Sequence, residues 1–226
     1  MPNYFNLLLD TLGPQDVKLL INDGANFSPS TSVNLGISTT DGDTTGYEMK
    51  IWGSVDPAID PTIQVDEVSS QWIAFSATKA ITLSDVDGLK TINVRLRDDV
   101  YNESAVATDT ITIDTAAPIV TIGAPSVTKI SKKATKDTCT FSFTVDTDFD
   151  EYKVCVVASV DAAHGAGVVI ATTNGSANMS GDAGAYAGAT AINCTIKGTD
   201  LEVASGGDGT QIIKVFAKDA AGNWSI

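Results

Sequence analysis

One motif occurs twice in the chain, and the spacing of its copies limits the fold more than any other feature. "DGLKTINVRLRDDVYNES", residues 87–104, and "DGTQIIKVFAKDAAGNWS", residues 208–225, align without a gap at a separation of 121 (208 − 87). A second shared phrase, "LDTLGP" at residues 9–14 and "IDTAAP" at residues 113–118, lies 104 apart (118 − 14), and Lys50 falls on Lys153 at 103. The rise from 104 to 121 puts 17 (121 − 104) extra residues into the second copy. They are assigned to the Gly-, Ala- and Ser-rich residues 160–190, read as a long loop with a short strand at "VVIAT". A unit of this length is a domain. The division is therefore 1–116 and 117–226, with residues 1–12 as a candidate attachment arm.

Apolar residues alternate with period two within each copy, as half-buried strands require. "SVNLGIS" puts Val33, Leu35 and Ile37 on one face, and "TCTFSFTV" does the same with Cys139, Phe141, Phe143 and Val145. "YEMKIW", "KTINVRLRD" and "ATDTITID" repeat the pattern, and no window longer than about ten residues shows a convincing 3.6-residue period. Short strands separated by turn signals predict an all-β protein of two tandem immunoglobulin-like β-sandwiches.

The doubled motif sits between two strands and reads as a hairpin turn. Asp98, Asn102 and Ser104 in copy one, and Asp219, Asn223 and Ser225 in copy two, are residue types that hydrogen-bond nearby backbone. Gly222 supplies the left-handed conformation without steric cost, where copy one has Tyr101. Between the copies, "DTAAP" leaves little slack, because Pro118 fixes its own φ and extends its predecessor. Copy two reaches Ile226 just past the hairpin, so the strand matching "AVATDTITID" is missing from it. A partner chain, or the segment "NYFNLLLD" of a neighbour or of the same chain, is expected to fill the gap, since an uncovered sheet edge invites strand addition. Tyr4, Phe5, Leu7, Leu9 and Trp224 are the candidate interface residues.

A formal charge of −14 repels nucleic-acid phosphates and anionic lipid, so neither is an expected partner. Cys139, Cys155 and Cys194 are an odd number without CxxC spacing, which points to small buried apolar residues made in a reducing compartment. The N-terminus lacks a signal peptide or membrane span, so synthesis in the cytoplasm is expected.

No catalytic set emerges. His164, the only histidine, lies in the Gly/Ala-rich insertion and is expected to be a solvated loop residue. Asp146, Asp148, Asp150 and Glu151 have the alternate spacing that opens a calcium loop, but the sixth and twelfth positions are Glu151 and Val157 instead of Gly and Glu. No cofactor is expected; calcium at oxygen-rich loop tips is the one ion the composition could support. Trp72, Tyr101, Tyr186 and Trp224 could stack on sugars, although packing is the default role of such rings.

With "DTITIDTAAP" and "KVFAKDAAGNWS" in view, nearly the whole chain resembles the immunoglobulin-like domains found in tandem on phage virion proteins and bacterial surface proteins. The absence of a leader and wall anchor makes it most similar to the phage group. The resemblance implies a non-enzymatic virion component, an immunoglobulin-like capsid decoration protein present in many copies on a lattice or as a homo-oligomer. Its partners would be capsid or tail proteins. The alternative it implies is a tail, baseplate or fibre-associated adhesion module that binds host surface glycans.

Overall fold

The period-two stretches fold as strands whose alternate side chains share a face. The computed structural model describes residues 6–182 and 184–226, in two units, Met1–Thr115 and Ala116–Ile226.

Domain 1 contains β1 (Lys18–Ile21), β2 (Phe27–Ser28), β3 (Ser32–Ser38), β4 (Glu48–Gly53), β5 (Ile73–Ala74), β6 (Thr78–Thr82), β7 (Gly88–Arg97) and β8 (Ala107–Ile113). One sheet has the order β1-β3-β6 and the other β2-β8-β7-β4-β5. Apart from β2, which pairs parallel to β8, all neighbours are antiparallel. Three strands facing β4, β7 and β8, with a short segment crossing between sheets, form an immunoglobulin-like sandwich. Leu35, Ile92, Val94 and Leu96 between the sheets have no exposed surface. Each such side chain stabilises the fold by roughly 1.5–3 kcal/mol relative to exposure.

Domain 2 contains β9 (Val120–Ile122), β10 (Thr138–Val145), β11 (Glu151–Val157), β12 (Val168–Val169), β13 (Ser180–Gly181), β14 (Ile192–Lys197), helix α1 (Gly198–Ser205) and β15 (Ile212–Lys218). The sheet β14-β10-β9 faces one in which β12, β13 and β15 all pair with β11. Phe143, Phe149, Val154 and Val215 fill the space between. Both domains are immunoglobulin-like β-sandwiches, but among the described residues no strand pairs with the far side of β15, where domain 1 has β8.

Two expectations change. Helix α1 departs from the all-β expectation; its eight residues offer only Leu201 and Ala204 to the core, too few for a visible period. The added residues of domain 2 are also split. Ile81 lies opposite Val33, and Ile196 opposite Cys139, a separation of 115 (196 − 81). Eleven extra residues (115 − 104) therefore precede β14, and six (121 − 115) follow it and supply α1. The strand expected at "VVIAT" is β12, two residues long.

Candidate functional site

The doubled motif closes the same hydrogen-bonded turn in both domains. Asp98 Oδ1 accepts from the Val100 and Asn102 N–H groups at 3.0 and 2.8 Å, and Asn102 Nδ2 donates to Asp98 Oδ2 at 2.9 Å. The Ser104 N–H donates to Leu96 O, and Ser104 Oγ accepts from the Leu96 N–H at 3.0 Å. In domain 2 Asp219 Oδ1 accepts from the Asn223 N–H at 2.8 Å and Asp219 Oδ2 from Asn223 Nδ2 at 3.0 Å. Ser225 N–H donates to Ala217 O, and Ser225 Oγ accepts from the Ala217 N–H at 3.0 Å. Asp98 and Asp219 are only 2% and 4% exposed. Each carboxylate spends its lone pairs on its own turn, which is how a buried charge escapes its desolvation cost. Tyr101 (φ +67°) and Gly222 (φ +99°) occupy the same left-handed position.

The outward face of the β4–β7 pair carries a stack of rings and cations. Lys50 Nζ lies 4.9 Å from the Trp72 ring centre, and the Arg97 guanidinium sits 4.4 Å from both Trp72 and Tyr101. Arg97 also pairs with Glu48. On the matching face of domain 2, Lys153 and Lys218 lie 4.5 and 5.5 Å from Trp224, and Lys218 pairs with Glu151. His164 stacks flat on Trp224, with ring centres 4.6 Å apart and planes at 5°. Trp224, expected to touch a neighbour, is thus engaged inside its own domain, and His164, a half-exposed loop residue, has one ring face covered by it. Burial, helped by the charge of Lys153, pushes the imidazole below its ordinary pKa.

The insertion is anchored by a residue that sequence reasoning missed. Asp200 in α1 accepts from Thr173 Oγ1, Asn174 N–H, Asn174 Nδ2 and Ser176 N–H, at 2.8–3.0 Å, and is 1% exposed. Burial raises its pKa, but these hydrogen bonds outweigh burial and hold the carboxyl at about 2. The only sequence signal was an Asp in the first turn of a helix that itself went unread.

The remaining site residues divide. Leu7 and Leu9 are 85% and 83% exposed; Tyr4 and Phe5 lie outside the described residues. Tyr186 packs against Phe149 and Tyr152, with ring centres 4.9 and 5.4 Å away, so the insertion's tyrosine serves the core. The acidic run near 146–151 is divided among structural tasks. Asp146 accepts from the Ile119 N–H, Asp148 from the Gly188 N–H, and Glu151 pairs with Lys218. Among the described residues no three His, Cys, Asp or Glu side chains converge to hold a metal, and no helix is long and apolar enough to cross a membrane.

No protein-family model matches the chain, and no curated protein matches it. Solved structures with some likeness include the Clostridium thermocellum CbhA fibronectin(III)-like modules, at 10% identity and TM-score 0.45, over 92% of this chain and 89% of that one. The chicken CNTN1 FN1-FN3 domains match at 10% identity and TM-score 0.36, over 94% of this chain and 64% of that one. Escherichia coli alpha-2-macroglobulin activated by porcine elastase matches at 10% identity and TM-score 0.33, over 80% of this chain and 18% of that one. Likeness this distant bears on nothing beyond shape.

Proposed function

We propose that this protein is a non-enzymatic structural component of a phage particle, displayed on the capsid surface as an immunoglobulin-like decoration protein. The observation that carries this reading is the duplicated turn. The residues most suggestive of chemistry, Asp98 and Asp219, are buried and consumed by hydrogen bonds within their own hairpins. What the two domains repeat is therefore a shape. A charge of −14 fits a surface component that must not adhere to nucleic acid. Quantitative mass spectrometry and cryo-electron microscopy of purified particles test the reading. Hundreds of copies following capsid symmetry are expected; a handful at the tail would move the protein there, and absence from particles would overturn the proposal.

A second reading, adhesion to host surface glycans, is favoured by one feature of domain 1. Tyr101 is 67% exposed beside the Trp72–Arg97 stack, an open aromatic face of the kind sugars cover. Binding on a glycan array that is lost in Tyr101→Ala would support it, and an array without signal would remove it.

A further inference from the structure

The open edge of β15 and the exposed N-terminal segment match each other. Leu96 and Ala217 accept from the backbone N–H groups of Ser104 and Ser225 and donate their own N–H groups to the same serines' Oγ atoms. By the two-residue period of a strand, Ile92 and Val94 present their backbone groups to β8, and Ile213 and Val215 present theirs to the empty side of β15. The side chains feel the same difference. Ile92 is fully buried, whereas its counterpart Ile213 remains partly exposed beside a cavity of about 610 Å³. Val127, Ile130, Cys139, Ile196 and Leu201 form the apolar wall of that cavity. Its rim is formed by Gly209, Thr210 and Gln211, the counterparts of Gly88, Leu89 and Lys90 where β8 inserts Ile113 and Ile111 into the core of domain 1.

The chain carries a further copy of that inserting strand. "TITIDTAAP", residues 110–118, aligns with "NLLLDTLGP", residues 6–14, so Leu7 and Leu9 occupy the positions of Ile111 and Ile113. Those isoleucines are each 1% exposed, while Leu7, Leu8 and Leu9 are all more than four-fifths exposed. From these observations we infer that residues 6–9 of one copy add to the open edge of β15 in a second copy, antiparallel, with Leu7 and Leu9 seated in the cavity. Leu9 then lies opposite Gly209, Leu8 opposite Thr210 and Leu7 opposite Gln211, the register of β8 on β7.

Residues 6–14 stand to domain 1 as residues 110–118 stand to domain 2, so the strand they carry belongs to a domain preceding domain 1, which a second copy supplies. The segment joins domain 1 beside the turn after β7, where the Asp10 carbonyl accepts from Asn102 Nδ2 and Gly13 packs against the Glu103 backbone. The chain leaves domain 1 at the other end of β7, where Thr115 bonds to Asp87. A donor strand on one domain and an acceptor on the other make a head-to-tail contact, which propagates into rings or filaments. This inference is independent of where the protein is displayed.

Sedimentation velocity of the purified 226-residue protein over a range of concentrations tests it. Species beyond a dimer should grow with concentration, and a Leu7→Asp/Leu9→Asp variant, altered only at exposed positions, should stay monomeric. A synthetic peptide of residues 3–13 should block the growth. Mixing a Leu8→Cys copy with a Thr210→Cys copy should give a disulfide between copies under mild oxidation, since this pair is outward-facing and not hydrogen-bonded. A wild-type monomer at every concentration together with no mixed disulfide would overturn the inference. So would a disulfide forming only within one chain of the Leu8→Cys/Thr210→Cys double variant, which would assign the strand to its own copy.

Discussion

Domain 1 and domain 2 place an indole at the same point on equivalent sheet faces, but they take it from different parts of the repeat. Trp72 comes from the segment before β5, and Trp224 from the turn after β15. What is common is the setting. Lys50 and Lys153, Glu48 and Glu151, and Arg97 and Lys218 occupy matching positions, paired across the β4–β7 and β11–β15 ladders. Two cation-bearing chains flanking an apolar strip hold a ring wherever the ring originates. The sheet face is therefore the unit that repeats, and alignment alone would not equate the tryptophans.

The comparison is broken most forcefully at the anchor that only domain 2 possesses. Replacing Asp200 with Ala leaves the Asn174 and Ser176 N–H groups unpaired and should lower the stability of domain 2 by roughly 3 kcal/mol. Calorimetry should show one transition falling while the domain 1 transition stays in place. The same carboxyl sets an acid limit. Its pKa falls from 3.8 in the unfolded chain to about 2 in the fold, so its contribution is complete above the higher value and lost as pH drops towards the lower one. Denaturation followed between pH 5 and pH 2 should show an acid sensitivity of domain 2 that is reduced in Asp200→Asn.

Smaller changes sharpen the comparison. Trp224→Ala removes the cover over His164 and the neighbouring Phe216 and should cost about 2 kcal/mol, against about 1 kcal/mol for Trp72→Ala, measured by urea denaturation of each domain. Ser104→Ala and Ser225→Ala should be equal, each about 1.5 kcal/mol, since each orphans one buried N–H of the preceding strand. The smallest effects are expected at the left-handed turn positions. Gly222→Ala should cost about 1 kcal/mol, whereas in Tyr101→Gly relief of the left-handed backbone and loss of the Arg97 contact should nearly cancel in the same denaturation assay.

Strand alternation made the sandwich readable, because burying one face dictates every second residue at positions such as Val33–Ile37 and Phe141–Val145. The Asp-Asn-Ser turn was readable for a similar reason, its bonds being local in sequence. Asp200 was hidden because its partners lie 24 to 27 residues away, in a loop without periodicity. His164 and Trp224 were hidden likewise: 60 residues (224 − 164) separate two rings that meet only because β11 and β15 are neighbours. The match between residues 6–9 and β8 was visible as repetition, but the cavity that gives it meaning emerges only once β15 has been placed beside β11.

Cys139, Cys155 and Cys194 are all buried in domain 2, and burial pushes the Cys155 thiol up and the Cys194 thiol to about 11. At neutral pH Cys155 and Cys194 are protonated and buried, so a thiol-specific dye will label those two only when that domain opens. The native chain thus carries its own clock for local opening in one domain, and seating a leucine pair in the neighbouring cavity should slow it.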